Sequence, residues 1–126
     1  MIAVAFLLMA AAQGPNCASP VTQADMNQCA DRDYQAADAA LNRQWKVTSE
    51  AMKTADREAG AQDGRPGYAA SLLEAQRAWL KYRDTHCVSE GYQARGGSME
   101  PMLVSACRAE LTKQRTEQLR KLAESN

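Results

Sequence analysis

Aromatic side chains are scarce in this 126-residue chain, 6% of the total with a single Phe. A large β-sandwich draws on more aromatic and β-branched residues than that, and no segment alternates apolar and polar residues with period two, so no sheet is expected. An excess of charge of one sign is also missing: 15 Lys and Arg balance 15 Asp and Glu. A nucleic-acid binder carries a basic surplus to neutralise phosphates, so nucleic acid is not an expected partner. Histidine occurs once, as His86, and closely spaced cysteine pairs of the C-x-x-C kind are absent, which argues against a zinc site. What remains is 45% hydrophobic residues in a chain of one-domain length, enough to bury a core.

The first segment stands apart. Met1 to Ala12 (MIAVAFLLMAAA) is apolar and uncharged, and polar Gln13-Gly14-Pro15-Asn16 follows. It is too short to span a bilayer and fits the core of a signal peptide, with Ala10 and Ala12 placed for cleavage near Ala12–Gln13. No Lys or Arg precedes the run, which is the pattern expected of a truncated start. Gly14-Pro15-Asn16 before Cys17 lacks the Leu-x-Ala/Gly pattern of a lipoprotein cysteine. We therefore expect residues 1–12 to be a signal peptide and 17–126 a single exported domain, periplasmic or secreted and not membrane-spanning. Four cysteines, Cys17, Cys29, Cys87 and Cys107, remain after cleavage, an even count that reads as two disulfides.

Beyond residue 20 the pattern is helical. Thr22 and Asp25 resemble a capping box ahead of Met26, Ala30, Tyr34, Ala37, Leu41, Trp45, Thr48 and Met52, a stripe at spacings of three and four that carries to about Ala59. The run Gly60 to Gly67 breaks it. A second helix from about Tyr68 places Leu72, Ala75, Trp79, Tyr82 and His86 on one face and Leu73, Gln76, Leu80, Arg83 and Cys87 on the next, and stops by Arg95-Gly96-Gly97. Ser98 can cap a third helix that tolerates Pro101 in its first turn and carries Leu103, Cys107, Leu111, Leu119 and Leu122. The expected fold is all-α: an antiparallel three-helix bundle or hairpin with one long N-terminal helix and two disulfides. That first helix, about 37 residues at about 1.5 Å each, spans about 55 Å and should be kinked, frayed or exposed at one end.

Helix register selects the bridges. Folding helices one and two about the break puts Cys29 about 11 residues beyond Cys87, roughly 16 Å along the axis. A bridge spans only about 4.4–6.8 Å between Cα atoms, so Cys29–Cys87 is excluded. Folding helices two and three about residues 95 and 96 brings Cys87 level with residue 104, close to Cys107. The expected pairs are Cys87–Cys107 and Cys17–Cys29.

Catalytic constellations are hard to find. His86 adjoins Cys87, but a Cys–His pair needs a free thiolate and this cysteine is expected to be oxidised. Asp84 and His86, two apart on a helix, point to different faces. Gly96-Gly97-Ser98 is neither a nucleophile elbow nor a phosphate loop. No catalytic residue, metal ligand or cofactor is assigned, and the chain is not expected to be an enzyme.

The run Ala75-Gln76-Arg77-Ala78-Trp79-Leu80-Lys81-Tyr82-Arg83-Asp84-Thr85-His86-Cys87, then GGSMEPM from Gly96, then CRAELTKQRTEQL from Cys107, resembles the lysozyme-inhibitor LprI-like N-terminal domain family. Met26-Asn27-Gln28-Cys29-Ala30, Tyr34, Ala37-Asp38 and Leu41-Asn42 fit the same pattern, so the resemblance covers roughly Cys17 to Leu122. It implies a small exported, disulfide-linked helical domain of the periplasm or cell envelope that binds a protein partner, with a lysozyme as the first partner to consider. The alternative is a periplasmic structural or envelope-stress protein without an enzyme target, for which an exposed apolar patch near Trp45 and Met52 would speak. Within the motifs, Gln76, Trp79, Arg83 and Asp84 read as structural. The two tryptophans are expected as core anchors, Gln76 with Arg83 as a buried polar pair fixing register, and Arg83 equally with Asp38 or Asp84. The Gly91–Ser98 turn, with Gly96, Gly97, Arg95 and Glu100, is the expected partner contact. Asp25 to Asp38 carries four acids and one base, a local balance of −3 at that end.

Overall fold

The computed structural model describes residues 14–59 and 63–125. The expected signal segment lies outside the described residues, as do Gly60, Ala61 and Gln62 of the expected break. Three α-helices follow one another: α1 (Gln23–Ala59), α2 (Tyr68–Gly91) and α3 (Glu100–Glu124), with a 3₁₀ turn (Tyr92–Ala94) between the last two. Among the described residues there are no strands, and no helix is long and apolar enough to cross a membrane.

The chain runs up, down and up, so α1 and α3 are parallel and α2 is antiparallel to both. Gln23 meets Met102, Asp33 meets Lys113 and Thr48 meets Leu119 along the α1–α3 seam. That seam is the most extensive in the bundle, and small buried side chains (Ala37, Thr48, Ala109, Thr112) let the two helices approach closely. Leu41, Met52, Leu72 and Leu119 form the apolar centre, with Trp45 and Trp79 packed against it. Both tryptophans are half-buried, so they flank the core expected of them and do not fill it.

The expected stripe on α1 is the buried one, through Ala37, Leu41, Thr48 and Met52. α2 differs. Its buried row is Leu72, Gln76, Arg83, Cys87 and Gly91, whereas Ala75 and Tyr82 face solvent. The polar side chains are inward because α3 offers them partners. On α3 the buried residues are Cys107, Ala109, Thr112 and Leu119, and Leu122 is partly exposed. Lying against both other helices, α3 buries two adjoining faces where a single stripe was expected.

α1 is one uninterrupted helix, and its last residues, Arg57, Glu58 and Ala59, are exposed. Thr22 Oγ1 accepts the Asp25 N–H at 3.1 Å and starts it. At its far end Asp56 caps the next helix: its carboxylate accepts the Tyr68 N–H at 2.7 Å and the Ala69 N–H at 3.1 Å. Gly67 occupies the N-cap position without a side chain because a Cβ there would lie 2.7 Å from Asp56 Oδ1. Ser98 does not cap α3. Met99 takes that position, with no side-chain cap, and the Ser98 carbonyl accepts a bond from Asn27 Nδ2 at 2.9 Å. The glycine turn before it sets the first helical turn one residue later than the sequence implied. Pro101 sits in that first turn as expected.

Both disulfides are the expected ones. Cys17–Cys29 has Cα atoms 5.4 Å apart and ties the segment before α1 to the helix. Cys87–Cys107 has Cα atoms 5.5 Å apart and bolts α2 to α3 in the interior.

Replacing Asp56 by Ala strips two α2 N–H groups of their acceptor and a negative charge from the helix start. We expect a loss of about 1–2 kcal/mol in urea unfolding, with Asp56→Asn recovering part of it.

Candidate functional site

Two regions concentrate polar chemistry: a network across the middle of the bundle, and the end where α2 turns into α3. The network centres on Arg83, whose side chain is only 6% exposed. Its Nε donates to Asp84 Oδ1 at 3.0 Å on its own helix. Nη1 reaches Thr112 Oγ1 of α3 at 3.3 Å and Asp38 Oδ1 of α1 at 3.5 Å. The guanidinium also lies over the rings of Tyr34 and Trp79, 5.3 and 5.2 Å from their centroids. A planar fork suits this position, since it bonds in several directions while its faces stack on rings.

Gln76 does not pair with Arg83. Its Oε1 accepts from Arg115 Nε of α3 at 2.9 Å, so the two motif residues each reach α3 separately, about two turns apart. Arg115 spans Gln76 and Gln118, and desolvation lowers its pKa without discharging a guanidinium at any working pH. Asp84 holds a second arginine, Arg108, with Nε 3.6 Å from Oδ1. Thr112, Arg108 and Arg115 went unassigned in the sequence reading, although all three lie in its third motif, at helical spacing on one stretch of α3.

Nothing in this network resembles a catalytic arrangement. His86, Glu90 and Cys107 place ligand atoms within 4.8 Å of one another, which would suit a metal in a reduced protein. Cys107 Sγ is bonded to Cys87, however, and offers no thiolate, leaving only two ligands. His86 instead meets Glu90 at 3.1 Å and stacks on Tyr82. The neighbouring depression, about 360 Å³ and lined by Glu90, Leu103, Cys107 and Leu111, is an open groove with no enclosed space for a small substrate.

The second region is the end of the bundle. Gly91 is buried where α2 meets α3, and a Cβ added there would stand 2.5 Å from Val104 Cγ2. The 3₁₀ turn follows, then Gly96 at φ +79°, a backbone conformation that favours glycine. Gly97 N–H bonds to Ala94 O at 2.8 Å, and Glu100 Oε2 accepts the Gly96 N–H at 3.4 Å. Arg95 projects from the turn with its guanidinium 4.5 Å from the Tyr92 ring centroid. Tyr92 and Met99 are exposed beside it. Asn27 and Gln23 of α1 bond to Ser98 and Met102, so the start of α1 and its disulfide-linked strap belong to the same end. The excess of acids counted there is largely offset: Asp33 pairs with Lys113 at 3.0 Å and Asp38 with Arg83. Asp25 and Asp31 take part in no salt bridge among the described residues.

A family model described as "Lysozyme inhibitor LprI" matches residues 16–119 of the chain. The protein belongs to the LprI family. An uncharacterized protein of Rhizobium meliloti (strain 1021) is 52% identical over 112 residues, 88% of this chain and 81% of that relative. No solved structure matches the chain. The LprI match takes in both disulfides, the Arg83 network and the Gly91–Ser98 turn, which places every feature described above inside the family domain.

The network sets a stability expectation. Arg83→Ala removes bonds to two other helices and the packing of its stem, and should cost about 2–3 kcal/mol in chemical denaturation, the half-exposed partner carboxylates being able to rehydrate. Arg83→Lys keeps the charge but not the fork, and should lose about half as much.

Proposed function

We propose that this protein is an exported, non-enzymatic protein-binding domain that inhibits a lysozyme. The match of residues 16–119 to a family described as lysozyme inhibitor carries the reading. Two disulfides in a small domain support an oxidising, periplasmic or secreted location, and the proposed signal segment at residues 1–12 fits it.

The contact in this proposal is the Gly91–Ser98 turn, with Gly96, Gly97, Arg95 and Glu100 at its tip. An inhibitor of a cleft enzyme works best as a rigid protrusion, because little ordering entropy is then lost on binding. Here rigidity comes from the Glu100 and Ala94 bonds, from Gly91 packed on Val104, and from the nearby Cys87–Cys107 bridge. The unpaired Asp25 and Asp31 leave some negative field beside the turn to steer a basic enzyme. The competing reading, an envelope structural or stress protein, drew on an apolar patch near Trp45 and Met52. Met52 is only 5% exposed and belongs to the core, and Trp45 is half-buried, so neither of these two side chains supplies a fully exposed apolar surface.

The test is a cell-wall turnover assay of purified lysozyme with excess oxidised protein at two ionic strengths. Inhibition is expected at both, weaker at about 0.15 M salt than at about 0.01 M because the Debye length shortens from about 30 to about 8 Å. No inhibition at either, with helicity confirmed by circular dichroism, removes the inhibitor reading.

A further inference from the structure

The turn carries a cation that the fold leaves unused. Among the described basic side chains, Arg57, Arg65, Arg83, Arg108, Lys113 and Arg120 are in ion pairs. Arg32 and Arg115 are committed to hydrogen bonds within the domain. Arg43, Lys46, Lys53, Arg77, Lys81 and Lys121 are in no ion pair but lie along helices. Arg95 alone of the described unpaired cations stands on a turn at the tip of the bundle, and it is not loose there. The Tyr92 ring holds its guanidinium at 4.5 Å, a cation–π contact three residues back in the chain. Of the two acids nearest in sequence, each five residues away, Glu90 meets His86 and Glu100 accepts the Gly96 N–H. The tip therefore presents a planar cation, stacked on a ring, whose hydrogen-bond donors have no acceptor among the described residues.

Glycosidases acting on wall polysaccharide work with a pair of carboxylates flanking the scissile bond, about 5–9.5 Å apart. One of the pair is a protonated acid and the other an ionised carboxylate. Together they set one negative charge and several acceptor oxygens at the floor of a cleft, a target that a guanidinium fork can bridge. We propose that Arg95 enters the cleft of the target lysozyme and binds its catalytic carboxylates, with Tyr92 as the platform that aims it. This rests on the inhibitor reading above and adds the residue and the chemistry of its contact. It implies an inhibitor competitive with substrate, whose contact residue has the opposite charge to the acids that steer the approach.

The experiment measures inhibition constants of the oxidised domain against a purified lysozyme for wild type, Arg95→Ala, Arg95→Glu, Tyr92→Leu and, as a charge control, Arg77→Glu. Arg95 and Arg77 are both exposed and without ion pairs, so thermal melts should match wild type and losses should report contact alone. Expected is a loss of about 30-fold or more for Arg95→Ala, a larger loss for Arg95→Glu, and an intermediate one for Tyr92→Leu. Arg77→Glu should stay within about threefold, and a soluble oligosaccharide substrate should compete with wild type. If wild type inhibits but both Arg95 variants stay within about threefold of it, the Arg95 proposal is overturned and the inhibitor reading stands. Equal losses in Arg77→Glu and Arg95→Glu, or non-competitive inhibition, also overturn it. If wild type fails to inhibit, both readings fall.

Discussion

Everything in this bundle leans on one buried guanidinium. Arg83 is the side chain through which all three helices communicate at mid-height, with a carboxylate on α1, a hydroxyl on α3 and the rings of Tyr34 and Trp79 against its guanidinium. Burying such a charge is costly unless its donors are met and its faces covered. That requirement fixes the rotation of α2 about its axis. Once Arg83 points at Thr112 and Asp38, Gln76 must face Arg115 and Cys87 must face Cys107, because they share a row. The apolar centre of Leu41, Met52, Leu72 and Leu119 could be assembled with α2 rotated somewhat either way; the polar row admits one setting.

The number of helices, their order and the disulfide pairing were legible in the sequence because each rests on a short-range rule. A stripe at spacings of three and four marks α1, a glycine-rich break ends it, and the bridges follow from the rise per residue. The facing of α2 was less legible. Apolar periodicity placed Ala75 and Tyr82 on a face with Leu72 and Trp79, yet both are exposed. Gln76 and Arg83 are inside, as expected of a buried polar pair, but each finds its own partner on α3. A hydrophobic pattern has no means of seeing that a polar side chain will find a partner some thirty residues later, as Arg83 finds Thr112. Asp56 escaped for a similar reason, since it caps a helix that begins after the break rather than its own.

The tip shows the same division. Its glycines were visible as a turn, and Gly96 does adopt a left-handed conformation. Its rigidity was not visible, because it comes from side chains folding back on backbone groups: Glu100 onto Gly96, and Asn27 onto Ser98 from another helix. The Tyr92–Arg95 contact had a local signal, an aromatic and an arginine three apart, that charge counting passes over. The acidic surplus counted along α1 was similarly one-dimensional; Lys113 and Arg83, on neighbouring helices, pair with two of its four acids.

The two disulfides close loops with separations of 12 and 20 residues, and both lie toward the same end of the bundle. The opposite end, where Asp56 caps α2, is joined among the described residues by hydrogen bonds and packing, with no disulfide. Cooperative opening should therefore be graded along the axis, beginning where helices one and two part and stopping at the bridged tip. Heat, detergent or a pulling force would loosen the molecule from its base while its turn kept its shape. Such polarity means that partial melting spares the turn, and recovery can start from an end that never came apart.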